Sequence, residues 1–237
     1  MNNDKLKSND VDKGVALIKG ITGAIPFIGP MIAEIVGEII PNQRIDRMSQ
    51  LLSILDSKLS KLEITQEELK QKMTEESYIN LLEDGMWQAA RASSYERKEY
   101  IASILANGIS NDNLHELEEN ILLALLSQLN DNEIIILYSY TMRSRNDQDF
   151  REEHENVLMK PLAHMGSNRE EIDKATIYDT YREKLVNLNL LHREFKKPKK
   201  GEFPEFDEKT GMIKASGYKL TSLGRLFLRY IDMPDEF

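Results

Sequence analysis

Cysteine is missing from the 237-residue chain, and tryptophan occurs once. The first absence excludes thiolate catalysis, zinc ribbons and disulfide frameworks, and it fits a reducing cytoplasm. Also missing are a GxxxxGK[ST] loop, a GxSxG elbow, an HExxH helix and a GxGxxG turn after a strand. The four histidines, His115, His154, His164 and His192, are scattered without ligand spacing, and REEHEN around His154 reads as a solvated helix face. The expectation is a protein that is not an enzyme, with no cofactor, no metal and no evident small-molecule substrate. The opening residues, MNNDKLKSNDVDKG, lack the apolar run and cleavage site of a secretory signal, so a cytoplasmic location is expected.

Basic residues are in deficit as well: the net charge is −9. That balance argues against general affinity for nucleic acid, which requires local lysine and arginine in excess. The sign is unevenly spread, however, with about −12 carried by residues 63–175 and a small positive balance at each end. Both ends are therefore suited to meet anionic surfaces.

What the chain does have is helical periodicity almost throughout, with strand signals only after residue 189. The fold expected is mostly α: a helical bundle preceded by an apolar helical hairpin and a long amphipathic helix, and closed by a winged-helix-like segment with a small β-hairpin. The boundaries are residues 1–41 for the apolar hairpin, 42–73 for the amphipathic or coiled-coil helix, 74–175 for the bundle and 176–237 for the winged-helix-like domain. Helix starts are signalled by Pro41, by Ser93 with Glu96, by Thr65 with Glu68 and by Asp131, and Gly108 stands where a left-handed C-terminal cap belongs.

Residues 15–41, VALIKGITGAIPFIGPMIAEIVGEIIP, hold a run at 20–33 with no charge at all. Each half, before Pro26 and after Pro30, is about half the length a bilayer-spanning helix needs. The two prolines instead let the halves fold back on each other. Small residues recur at helical spacing: Ala16, Gly20 and Ala24 in the first half, Gly29, Ala33 and Gly37 in the second. Such stripes permit close backbone approach, in lipid or in a protein core. A self-packed hairpin, a membrane element and an oligomer contact all fit. The candidate residues for membrane or self-association are Gly20, Ala24, Ile25, Phe27, Ile28, Gly29, Ala33 and Gly37. Glu34 and Glu38, one turn apart, form a candidate charge switch, since only their protonated forms enter an apolar environment cheaply. The alternative for these two is the wet edge of a soluble helix.

From Pro41 the apolar positions Ile45, Met48, Leu52, Leu55, Leu59 and Leu62 alternate by three and four, and Leu69 and Met73 continue them. This is the pattern of a coiled-coil seam, giving self-association through residues 45–73, and equally that of an amphipathic helix lying on its own domain. Thr65 with Glu68 places a break near residue 64. Trp87, Tyr138 and Tyr140 fall at helical spacing among leucines and isoleucines and read as core.

After residue 175, TIYDTYREKLVNLNLL predicts a helix, LLHREF and SGYKLT predict paired strands, KKPKKGEFPEFDEKTGMIK a loop and SLGRLFLRYI a last helix. Arg182, Lys184, Arg193, Lys196, Lys197, Lys199 and Lys200 make up the one notable basic cluster. They are the candidate nucleic-acid contacts of the alternative reading, a winged-helix module binding DNA or a protein partner; a solvated loop explains the same run.

Four segments, in order, carry a resemblance: 104–107 in IASILANG, 129–131 in LLSQLND, 185–190 in KLVNLNLL and 220–224 in YKLTSLG. Over roughly residues 75–231 the chain resembles the bacterial Abi-alpha family, associated with abortive infection against phage. That family carries a leucine-leucine-alanine-asparagine motif, a leucine-serine-proline helix start, a leucine-x-x-leucine-glycine-leucine segment and a leucine-threonine-x-x-glycine helix. This chain has Asn130 and Asp131 for the serine and proline, and Asn189 for the glycine. The resemblance implies a bacterial cytoplasmic protein tied to phage defence, without an established active site. The opening hairpin would then be the part that acts on or anchors to the inner membrane, an inference from its apolarity.

Overall fold

The computed structural model describes residues 42–110, 116–141, 148–161, 164, 166–201, 203–207 and 211–233. The expected apolar hairpin, residues 1–41, lies outside them. The described residues are mostly helical, with one small two-stranded antiparallel sheet, and they divide into two compact units. Among the described residues, 42–128 together with Tyr230–Asp232 form the first, and Leu129–Arg229 with Met233 form the second.

In the first unit, α1 (Asn42–Lys61) packs on α3 (Glu76–Arg91) and α4 (Tyr95–Ser110). The apolar positions of the seam, Ile45, Met48, Leu52, Leu55 and Leu59, are buried, as are Leu51 and Ile54 beside them. Of the two uses open to that pattern, the helix takes the second and lies on its own domain. Leu62, at 44% exposed, falls after the helix has ended. There Glu63 adopts φ +56° and the Ile64 N–H returns to the Leu59 carbonyl, a left-handed termination. The expected restart follows: Thr65 and Glu68 form a reciprocal capping box at the start of α2 (Gln66–Lys72).

Two caps differ from expectation. The hydroxyl that accepts from a first-turn N–H of α4 belongs to Ser94, not Ser93, through the Arg97 N–H at 3.1 Å. Gly108 does not terminate α4, which continues to Ser110. Its missing Cβ instead makes room for the Glu119 carboxylate of α5 (Glu116–Gln128), because a Cβ there would sit 2.9 Å from Glu119 Oε2. Tyr78 is buried beneath α4 and donates to the Leu105 carbonyl at 3.2 Å. Tyr230–Asp232 is tied into this unit by Lys58 and Ser103, both bonded to Asp232 Oδ2 at 2.6 and 2.8 Å.

In the second unit, α6 (Asp131–Ser139) begins one residue earlier in its cap than Asp131 suggests: Asn130 is the cap, in a reciprocal box with Glu133. Then come α7 (Gln148–Glu153), α8 (Glu155–Leu158) and α9 (Arg169–Asn187), the last capped by Asn168 with Glu171. The boundary expected at residue 175 falls inside α9, which runs through Ala175 without a break. After it, Asn189 takes φ +57° and the Leu190 N–H returns to the Leu185 carbonyl, so the chain reverses directly into a strand.

That strand, β1 (Leu191–Glu194), pairs with β2 (Gly217–Leu220) in the register Leu191 to Leu220 and Glu194 to Gly217. The paired strands expected after residue 189 are therefore present. Thr221 follows and does three things. Its N–H and hydroxyl bond the Leu190 carbonyl at 3.1 Å each, its hydroxyl lies 2.7 Å from the Asn189 carbonyl, and its oxygen accepts the Gly224 N–H at 2.9 Å to cap α10 (Ser222–Tyr230). Gly224 then lies so close to the turn before β1 that a Cβ would meet the Leu190 carbonyl oxygen at 2.4 Å. Leu185, Leu190, Leu220 and Phe227 close the core beneath this corner.

Candidate functional site

The expected membrane or self-association residues, Gly20, Ala24, Ile25, Phe27, Ile28, Gly29, Ala33 and Gly37, lie outside the described residues, and so do Glu34 and Glu38. Among the described residues no single helix is long and apolar enough to cross a membrane. No three metal-ligating side chains converge there either. His154 instead lies edge-on to Phe150, with ring centroids 4.4 Å apart, and Phe150 meets Tyr138 at 5.2 Å.

The basic cluster of the second unit separates into two groups. Arg182 is half-buried on α9, with its guanidinium 5.0 Å from the Tyr218 ring and 5.5 Å from that of Tyr178. Its Nε is buried without a hydrogen-bond partner. Burial works against the guanidinium's charge, but Tyr140, Tyr178 and Tyr218 outweigh it and leave its pKa raised. Burial likewise pushes the Tyr140 hydroxyl up, with Arg182 opposing. Lys184 reaches Glu133 at 2.9 Å, and Arg193 pairs with Glu183. All three cations are thus committed to the unit's own structure, so they do not join the loop lysines in one open phosphate-binding face. The reason is local: Glu133 is only 2% exposed and a buried carboxylate needs a counter-charge.

Lys196, Lys197, Lys199 and Lys200 behave differently. All four are exposed, on the long loop that joins β1 to β2. The loop is organised by a second, isolated bridge between Phe206 and Ile213, with the Asp207 N–H bonded to the Met212 carbonyl at 2.7 Å and the Lys214 N–H to the Glu205 carbonyl at 2.8 Å. Between its two limbs lies a cleft of about 360 Å³, lined by Lys196, Lys197, Lys199 and Lys214 and also by Phe203, Pro204 and Ile213. Lys214 stands 4.0 Å from Glu205 at the edge of this cleft.

The sequence reading named Lys196, Lys197, Lys199 and Lys200 of this surface and missed Lys214 and the apolar part. Phe203 is 92% exposed and Met212 71%, with Phe195 and Phe206 also in solvent. The signal was present in GEFPEFDE, where two aromatics interrupt a polar, proline-containing loop that has no helical or strand period to bury them. Cationic and apolar side chains together make a surface able to hold an anionic, partly apolar partner.

No protein-family model, curated protein or solved structure matches the chain.

Proposed function

We propose that this is a non-enzymatic bacterial defence protein of the abortive-infection type, in which the apolar segment of residues 15–41 associates with the cytoplasmic face of the inner membrane. The observation that carries the reading is where the apolar surface of the next segment goes. Ile45, Met48, Leu52, Leu55 and Leu59 are buried within the first unit. Two copies meeting through residues 45–73 would have to displace α3 and α4 from those same side chains. On this reading the uncharged run at residues 20–33 makes contacts with lipid or with the same run of a second copy.

The Abi-alpha resemblance supports the defence role, and its two departures from the family pattern preserve the backbone. Asn189, where the family has glycine, adopts φ +57°, a conformation glycine takes freely and asparagine takes more readily than most residues. Asn130 and Asp131, where the family has serine and proline, occupy the cap and first helical positions of α6, which serine and proline also favour. The test is flotation of the full chain with anionic vesicles. Binding is expected, and Ile25→Lys with Ile28→Lys should weaken it at least tenfold; unchanged flotation of that variant refutes the reading.

A second reading, a winged-helix module that binds DNA, is favoured by one observation. The order α9, β1, long loop, β2, α10 puts four exposed lysines on the loop where such a module has its wing. Against it, the first turn of α9 carries Glu170 and Glu171, and Arg182, Lys184 and Arg193 are engaged internally. Replacing the four lysines with alanine should weaken DNA binding and flatten its salt dependence. Absence of DNA binding by the unmodified chain removes this reading.

A further inference from the structure

We infer that the loop at residues 195–216 is itself a contact site for an anionic lipid bilayer, separate from the apolar run at the start of the chain. Among its described residues five lysines stand in solvent, Lys196, Lys197, Lys199, Lys200 and Lys214, against one exposed carboxylate, Glu205. Beside them Phe203, Phe206 and Met212 are exposed, Phe203 almost completely. Side chains this apolar add nothing to the core while they stand in water, and each would gain from entering the interfacial layer of a bilayer. The lysines complement its negative surface. Stable attachment of a peripheral protein takes two signals, and here the two are interleaved on one loop.

The loop is also built to present them. β1 and β2 fix its base, and the Phe206 and Ile213 bridge, with the Asp207 N–H on the Met212 carbonyl, holds Phe206 and Met212 on hydrogen-bonded backbone. Single-stranded nucleic acid is the competing occupant, since it too needs cations and exposed rings. The bilayer is favoured because part of the apolar surface is aliphatic. Met212 and Ile213 offer no face on which a base can stack, whereas hydrocarbon accepts them as readily as phenylalanine.

This inference shares the membrane reading but rests on residues of the second unit, so the two can fail separately. The test is flotation of the full chain with vesicles of phosphatidylcholine alone and of phosphatidylcholine with phosphatidylserine. One variant carries Lys196→Gln, Lys197→Gln, Lys199→Gln and Lys200→Gln; another carries Phe203→Ser and Met212→Ser. All six positions are exposed, and unchanged thermal midpoints verify the fold. Binding to the phosphatidylserine vesicles should fall on the order of fivefold per lysine removed, and should fall again for the serine pair. Binding that survives Ile25→Lys with Ile28→Lys but is lost in the lysine variant supports the loop and removes the opening run. The inference is overturned if both loop variants float like the unmodified chain. It is also overturned if the unmodified chain binds a single-stranded oligonucleotide and no vesicle.

Discussion

Replacing Gly224 with alanine tests how the corner of the second unit is built. In an ordinary helix the change would stabilise, because glycine is about 1 kcal/mol less favourable than alanine. Here the added methyl would stand 2.4 Å from the Leu190 carbonyl oxygen and 2.8 Å from Leu220 Cδ1. Contact at van der Waals distance requires a separation larger by about 1 Å. The nearer atom is backbone, so no rotamer change relieves it. Moving Leu190 would also disturb the two bonds its carbonyl accepts from Thr221. Overpacking of this kind costs about 1–3 kcal/mol or more, which outweighs the helix gain. The net expectation is a loss of about 1–2 kcal/mol, read as a lower urea midpoint with an unchanged slope. Gly108→Ala is the comparison, because its nearest contact is the end of the Glu119 side chain and not backbone. A Gly224→Ala midpoint equal to or above that of the unmodified chain refutes the close approach.

Three further outcomes are expected. Asn189→Gly should leave stability unchanged or raise it by up to about 1 kcal/mol, whereas Asn189→Val should lower it by about 1–2 kcal/mol, because the position sits at φ +57°; urea titration of both variants measures the difference. Lys184→Met should cost about 2 kcal/mol by leaving the buried Glu133 carboxylate without its cation, and adding Glu133→Gln should restore most of the loss in the same titration. Burial, with a smaller push from Glu119, raises the Tyr78 hydroxyl well above its ordinary value of 10.0. Its contribution to stability is therefore fully present below about pH 10 and is lost as pH rises toward the folded-state value. Tyr78→Phe should cost about 1 kcal/mol at neutral pH and reduce the decline in thermal midpoint above pH 10.

Elements whose signals have one meaning were legible in the sequence. Leu191–Glu194 and Gly217–Leu220 pair within the segments LLHREF and SGYKLT that predicted strands, and Thr65 with Glu68 forms the box its spacing describes. Signals with two meanings were not decidable. Apolar residues spaced by three and four look the same whether a helix faces a second copy or its own domain, and burial of Leu52, Leu55 and Leu59 within the first unit decides for the latter. Glycine late in a helical pattern marks either a left-handed cap or a close approach; Gly108 is the second kind, while the caps that close α1 and α9 are Glu63 and Asn189. The candidate site divides in the same way. Lysines on a loop are visible as such, but their partners are set by chain segments distant in sequence, as Glu133 is from Lys184. The exposure of Phe203 was the least legible feature, because an aromatic residue is read by default as core.

The most direct test of the proposed membrane association is flotation of the full chain with phosphatidylserine-containing vesicles at neutral and mildly acidic pH, beside the variant Glu34→Gln with Glu38→Gln. Carboxylates enter an apolar environment only when protonated, so the unmodified chain should bind more strongly at the lower pH and the glutamine variant should bind strongly at both. Failure of both proteins to float at either pH contradicts the account.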